Sequence, residues 1–337
     1  MHILIYDIDS KSTGIEYPLK EAFNELGHTV VMFNWRKYLF TYSNTDFLNR
    51  VKDKLLFKRI AVKINLDLIN LIEKNSFDLF LVLRGDHIFP ETIIFSKKVI
   101  PFVVNWNSDD LFNKGMTTKY ILESFDKFDI HFSPRPNLRN EYIQKGAKSF
   151  EILNWYYRLG VLFDAPKMGN INYLNSICFI GSWSNRRAYF LKSLTDFDLT
   201  LNGWAWSKKL NKKEFPNWMV GNPIAIKEMA NLFSKTKINI NILTIENRDT
   251  TNLRNFEIAA AGGFQLSERS DQILDLFKED EEIVCFSSPE ELKSKCSYYL
   301  KNQSLREKIA LAGYNKLING NNSLVDRTKQ IINTIIS

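Results

Sequence analysis

The segment Lys237-Ile-Asn-Ile-Asn-Ile-Leu243, continued after a short polar loop by Asp249-Thr-Thr-Asn-Leu-Arg-Asn-Phe-Glu257 and Ile258-Ala-Ala-Ala-Gly-Gly263, decides the fold class. Its first part alternates apolar and polar residues with period two, which predicts a strand with one face on a core. Beyond the loop, Leu253, Phe256, Glu257 and Ala260 recur at helical spacing, with Thr251 or Asn252 as the cap in front and Gly262-Gly263 as the stop behind. Strand, polar loop and helix make up the unit of an open α/β sheet, and ligands bind such sheets at the carboxyl ends of the strands. The first amides of the helix add a partial positive charge suited to phosphate.

Asp249 and Glu257 bracket this loop, and Arg254 lies one turn before Glu257 on the same helix face. A carboxylate near a phosphate-binding helix start can accept both hydroxyls of a ribose while backbone amides and an arginine hold a diphosphate. The plainer alternative is a surface ion pair between Glu257 and Arg254 and an ordinary glycine stop.

The run Asn252-x-Arg254-x-Phe256-Glu257-x-Ala259-x-Ala261-Gly262-Gly263-Phe264-x-Leu266-x-Glu268 resembles the signature of the CgeB-like glycosyltransferases. These are a branch of the GT-B group with the "glycosyl transferases group 1" C-terminal domain. The resemblance continues through Ser288-Pro-Glu-Glu-Leu292, Arg306-x-x-Ile309-Ala310-x-x-Gly313 and Arg327, about 100 residues in all. It implies two Rossmann-like domains facing each other across a cleft. It also implies that Glu257, the second glutamate of the family's Glu-x7-Glu motif, contacts the donor ribose. Asp249 replaces the first glutamate.

At 337 residues the chain suits two domains. Its composition, 45% apolar and 25% charged, is that of a globular protein rather than a disordered one. It contains no apolar run of about 18 residues, and its start, Met1-His-Ile-Leu-Ile-Tyr6, reads as a strand rather than a leader, so a cytoplasmic location is expected. Cys178, Cys285 and Cys296 form no Cys-x-x-Cys pair and suit buried thiols, and the scattered His2, His28, His87 and His131 do not suggest a zinc site. The net charge of +7 favours an anionic partner: a nucleotide donor, an anionic membrane surface touched peripherally, or nucleic acid. The lysines are spread over solvated helix faces, which argues against a nucleic-acid groove.

In the first half, His2–Tyr6, the helix from Glu16 to Leu26 and Thr29–Phe33 form a β-α-β unit that seeds a parallel sheet, with the loop Asp7 to Gly14 open to an acceptor. A helix is expected from Leu48 to Lys74. Three later strands then deliver Asp86 and His87, Asp109 and Asp110, and Arg135 to one sheet edge. That edge is where the acceptor and a general base are expected. If Asp109 and Asp110 shared a pocket, repulsion would raise one pKa; alternatively one of them caps a helix beginning at Leu111. His87 could serve as the base, or be a surface or hydrogen-bonding residue. The Trp106-x-x-Asp109-Asp110 segment also resembles the family.

The stretch from Asn154 to Tyr173 lacks periodicity. It sets domain boundaries at 1–155 for the acceptor domain, 156–175 for the linker, 176–322 for the donor domain and 323–337 for a helix crossing back. After the strand Ser176–Ile180, the loop Gly181-Ser-Trp183-Ser-Asn-Arg186-Arg187 suits a diphosphate. The family carries a similar Phe-x-Gly-x-x-x-x-Arg segment there. Asn202-Gly203-Trp204-Ala-Trp206 resembles the family's turn near the nucleobase; otherwise the two tryptophans pack at a domain seam.

The resemblance, taken with these observations, implies a nucleotide-sugar glycosyltransferase. Arg186, Arg187 and Arg254 would hold the donor diphosphate together with the amides from Asp249 to Asn252, and Glu257 would hold the ribose. Cationic side chains can stabilise the leaving diphosphate without a metal. No separate cofactor is expected beyond the co-substrate, a UDP- or GDP-linked sugar, and the acceptor would be a glycan, lipid or protein. Three alternatives stand beside this reading: a non-catalytic carbohydrate or nucleotide-sugar binding protein, a sugar transferase acting on nucleic acid, and a nucleotide-sugar epimerase.

Overall fold

The computed structural model describes residues 1–337 except 8–15, 43, 114–116, 158–168, 170, 212 and 246–249. The chain divides into two compact units, Met1–Asn154 with Val325–Ser337, and Trp155–Leu324. Each is built on one six-stranded parallel sheet, so the α/β class read from the strand-loop-helix segment is the observed one.

In the first unit the strands are β1 (His2–Asp7), β2 (Thr29–Asn34), β3 (Leu79–Leu83), β4 (Phe102–Trp106), β5 (His131–Ser133) and β6 (Phe150–Ile152). They lie in the order β2-β1-β3-β4-β5-β6, with β1 paired to both β2 and β3. The reversal of strand order beside β1 is a switch point of the kind at which α/β sheets bind ligands. β3 is apolar throughout and buried on both faces, as a central parallel strand must be when helices cover both sides. Gly27, at φ +80°, ends the helix Glu16–Glu25 in the left-handed conformation that glycine adopts without strain. The helix Leu324–Ile336 belongs to this unit from Val325 onward, and Gln330 donates to the carbonyl of Ile152 at 2.9 Å.

The long helix expected from Leu48 to Lys74 is in fact two, Phe47–Leu55 and Phe57–Glu73. Leu56 leaves helical geometry at ψ 10°, and Asp46 caps the shorter piece through the amide of Asn49. The helix expected to begin at Leu111 is a turn instead. The side chain of Asp110 accepts from the amide of Phe112 two residues on, an Asx turn that competes with helix initiation. The acceptor loop expected at Asp7 to Gly14 lies outside the described residues apart from Asp7.

In the second unit the strands are β7 (Asn175–Ile180), β8 (Leu199–Asn202), β9 (Trp218–Gly221), β10 (Thr236–Asn241), β11 (Gln265–Glu268) and β12 (Val284–Phe286), in the order β12-β11-β10-β7-β8-β9. The alternating segment is β10, near the middle of the sheet. Its asparagines do not face water: Asn239 and Asn241 are as buried as their apolar neighbours. Asn239 donates to the carbonyls of Phe233 and Phe264 and accepts from the thiol of Cys178, so each of its polar atoms is satisfied inside the core. A Cβ on Gly263 would come within 2.6 Å of the Asn239 amide nitrogen and 2.9 Å of the Phe233 carbonyl. The second glycine of the pair is therefore a close approach as well as part of a helix stop. All three cysteines are buried, and burial pushes the Cys178 and Cys285 thiols up to about 12, which keeps them protonated.

Candidate functional site

Because the second sheet is parallel, the loops after β7, β8, β10 and β11 leave its carboxyl edge together. The first two are locked to one another. Gly181 donates to the carbonyl of Asn202, Trp183 donates to the carbonyl of Trp204, and Trp206 donates through its indole N–H to the carbonyl of Gly181 at 2.7 Å. A Cβ on Gly203 would sit 2.0 Å from the Gly181 oxygen, so the approach of these loops requires glycine there. The two tryptophans part company. Trp206 is fully buried in the core, whereas Trp204 is 71% exposed, a flat apolar face at the edge of the sheet.

The helix Asn185–Leu191, capped by the hydroxyl of Ser184, brings Arg186 and Arg187 to the end of β10. Arg187 donates to the carbonyls of Ile242 and Ser182 at 3.1 and 3.0 Å. Arg186 donates to the carbonyl of Leu243 at 3.0 Å and is held by both carboxylate oxygens of Glu268, one at 2.6 Å. Glu268 ends β11 and also accepts from the amide of Leu243 at 2.9 Å. This carboxylate lay inside the family-like run without being singled out as a site residue. Its position as the last residue of a buried strand, at the sheet's ligand edge, is the signal that marks it.

The loop expected to carry the donor continues from β10. Asp249 lies outside the described residues. Of the two expected caps, Asn252 is the one used: it accepts from the amide of Asn255 in a reciprocal capping box, and its side chain pairs with Asn241 at the end of β10. Thr251 is buried, with its amide and hydroxyl on the side chain of Gln272. The strand's polar residues thus have a local purpose, which is to tie the strand end to the helix start.

On the helix Leu253–Ala260, Arg254 meets Glu257 at 2.6 Å, as the spacing allows. The pair is not a surface one. The Glu257 side chain is 2% exposed, and Arg254 lies over the Phe233 ring and against the sulfur of Met229.

In the first unit, the edge beyond β3 is built around Arg84, a non-glycine residue at φ +59°. Its guanidinium meets Asp86 at 3.0 Å and Asp109 at 3.0 Å. The carboxylates that share a cation are therefore Asp86 and Asp109. Asp109 and Asp110 diverge, since Asp110 is committed to its turn. Burial pushes the Asp86 carboxyl above its ordinary value; Arg84 pulls it back and Asp109 adds to the rise. His87 is neither a surface residue nor open to the cavity wall. Its ring lies between Trp35 and Phe57, 4.6 and 4.8 Å away, and burial lowers its pKa to about 4. At neutral pH it is an uncharged aromatic spacer. The backbone beyond it is fixed by Asn65, which donates to the carbonyls of Ala61 and His87 and accepts from the amide of Phe89 and the hydroxyl of Thr92. Arg135 is buried and donates to the carbonyl of Ser108 at 2.9 Å.

A cavity of about 390 Å³ opens at this edge, lined by Trp35, Arg36, Leu39, Thr41, Leu83, Arg84, Gly85 and Asp86. Its volume suits a small ligand such as a sugar ring, and it combines an aromatic face with a carboxylate and a guanidinium. Trp35 was not singled out from the sequence, although it follows β2 directly, as Arg84 follows β3.

Two doubly wound parallel sheets, each with its polar loops gathered at one carboxyl edge, define the GT-B class, and comparison with solved structures agrees. HepE from Anabaena, solved with UDP-glucose, aligns over 99% of both chains at 10% identity with a TM-score of 0.66. Sucrose-phosphate synthase from Thermosynechococcus elongatus aligns over 100% of this chain and 99% of its own at 11% identity and 0.69. An alpha-glucosyltransferase solved with UDP-glucose and DNA containing an abasic site aligns over 100% of both chains at 14% and 0.65. Residues 186–333 match the family model described as Glycosyl transferase-like. No curated protein matches the chain in sequence.

Proposed function

We propose that this chain is a glycosyltransferase of the CgeB-like branch that moves a sugar from a nucleoside diphosphate donor onto a hydroxyl acceptor without a metal. The observation that carries the reading is the arginine pair at the carboxyl edge of the second sheet: Arg186 and Arg187 are positioned by Glu268 and by the carbonyls of Ile242 and Leu243. Guanidinium groups fixed in this way suit a diphosphate, whose charge grows as the glycosidic bond breaks. Glu257 is assigned to the donor ribose, Trp204 to the nucleobase, and the Gly181 and Gly203 loops to close backbone approach. UDP is favoured as the nucleotide by its presence in the solved relatives, with GDP as the alternative.

The acceptor is assigned to the cavity of the first unit. There Trp35 offers a ring face, and Asp86, with its raised carboxyl pKa, is the candidate base if configuration inverts. A cytoplasmic enzyme working against the membrane surface accords with the net charge of +7.

A thermal-shift panel of UDP, GDP, TDP, CDP and their sugars, with chelator present, tests the donor half. Stabilisation by one nucleotide family, lost in Arg186→Ala and Arg187→Ala, is the expected result. No shift with any nucleotide would exclude the donor site, and binding without turnover on any acceptor would favour a carbohydrate-binding protein.

A further inference from the structure

The helix Phe47–Leu55 is mounted inside out. Its inward side is polar: Asp53 accepts from the amides of Phe40 and Thr41 and from the Thr41 hydroxyl, and Asn49 donates to the carbonyl of Asn44. None of its residues is buried, yet it carries Phe47, Leu48, Val51 and Leu55. At helical spacing these four fall on one stripe on the order of 100° wide, opposite Asn49 and Asp53. Phe47 and Leu55 are 77% and 78% exposed. Folding gains nothing from leaving such side chains in water, so the stripe needs a partner.

Charge identifies the partner. Arg50 and Lys54 flank the stripe on one side and Lys52 on the other, all exposed, and Lys58 and Arg59 follow at the start of the next helix. Asp53 is turned inward, and Asp46 is engaged as the cap. An apolar stripe between rows of lysine and arginine is the pattern of a helix that lies in the interface of an anionic bilayer, its apolar face among the acyl chains and its cations at the headgroups. Among the described residues no helix is long and apolar enough to cross a membrane, so the contact is peripheral.

We propose that the helix Phe47–Leu55 docks the chain onto an anionic lipid surface. The inference stands independently of the transfer reaction. It also has a consequence for the cavity: Asp53 holds Thr41, and Thr41 lines the cavity wall. A docked helix would therefore bring that wall within about one helix diameter, roughly 10 Å, of the lipid.

The test is co-sedimentation of the full chain with vesicles of phosphatidylcholine alone and of phosphatidylcholine and phosphatidylglycerol in equal parts, at low and high salt. The paired variants are Val51→Glu/Leu55→Glu and Lys52→Glu/Lys54→Glu. All four positions are solvent-facing, so unchanged melting curves establish that the variants fold. The expected result is binding to the mixed vesicles only, weakened by salt and reduced about tenfold or more in each variant. Three outcomes would overturn the proposal. The chain could fail to bind the anionic vesicles. It could bind them as well in Val51→Glu/Leu55→Glu as in the parent, which would assign the attraction to net charge alone. Or it could stay off vesicles while sedimenting as a dimer that this variant breaks, which would assign the stripe to a second copy of the chain.

Discussion

Arg186 and Glu268 form a two-pronged ion pair across the carboxyl edge of the second sheet, and the same carboxylate accepts the amide of Leu243. The Glu268 side chain is nearly buried while that of Arg186 is about one-third exposed, so the glutamate aims the arginine outward. Glu268→Ala removes three hydrogen bonds and leaves the Leu243 amide unpaired. It should destabilise the second unit by roughly 2–4 kcal/mol. Glu268→Gln keeps one acceptor and should cost about half of that, while weakening donor binding by at least about tenfold because Arg186 loses its fixed direction. Urea unfolding and donor titration of the two variants separate the effects. Donor affinity unchanged in Glu268→Gln would remove Arg186 from the phosphate site.

Glu257 calls for a different substitution than its spacing suggests. Because the Glu257 side chain is buried against Arg254, Glu257→Ala removes the 2.6 Å contact from a guanidinium packed on Phe233 and Met229, a loss of roughly 2–4 kcal/mol. A vanished thermal shift in that variant would not discriminate between lost ribose contact and lost fold. Glu257→Gln retains shape and hydrogen bonding, and is expected to melt within a few degrees of the parent while losing most of the stabilisation by nucleotide. Equal stabilisation of parent and Glu257→Gln would confine Glu257 to a structural role.

What could be read in advance, and what could not, follows from the physics of each segment. The strand-loop-helix unit at Lys237–Gly263 was legible because apolar periodicity, an asparagine cap and a glycine stop all point the same way. Periodicity could not tell a polar face in water from a polar face paired inside a core, and the burial of Asn239 and Asn241 escaped it for that reason. The short strands β6, β9 and β12 have three or four residues each, too few for a pattern to rise above their neighbours. At the first-unit edge, the sequence placed Asp86 and Asp109 together, because each follows a parallel strand. It could not foresee that the left-handed backbone at Arg84 turns its guanidinium between two aspartates from different loops, nor that Trp35 and Phe57 enclose His87.

Gly203 is tested by the smallest change. A methyl group there would meet the Gly181 carbonyl oxygen at 2.0 Å, and that oxygen is already engaged by Trp206. Backbone on both sides has no rotamer with which to yield, so Gly203→Ala should push the β7 and β8 loops apart and cost several kcal/mol, on the order of 2–4. Gly169→Ala, with no described atom within 4 Å of its Cβ position, is the control for substitution of a glycine at positive φ. A fall in melting temperature confined to Gly203→Ala, together with loss of nucleotide-dependent stabilisation, is the expected pair of results. A Gly203→Ala protein that melts and binds like the parent would show that the loops do not depend on this approach.

His87 fixes how the first unit responds to acid. Its pKa is lowered from 6.5 to about 4, chiefly by burial between Trp35 and Phe57, with Arg84 adding to the drop and Asp53 opposing it. A folded pKa below the unfolded one means that the unfolded chain takes up the proton first. The stabilisation is therefore complete above about pH 6.5 and is lost as pH falls toward 4. At pH 4.5 this amounts to roughly 2–3 kcal/mol for His87 alone. His131 is also buried and lowered to about 4, and it adds a loss of the same sign over the same window. His87→Phe keeps an aromatic ring between Trp35 and Phe57 but has no proton to bind. Urea midpoints measured at pH 7.5 and pH 4.5 should therefore fall less in His87→Phe than in the parent, by an amount equivalent to about 2–3 kcal/mol, with the remaining fall owed to His131 and the carboxylates. Identical falls in the two proteins would mean that His87 gains its proton in the folded chain at its ordinary pKa, and that the ring is not sealed between its neighbours in solution.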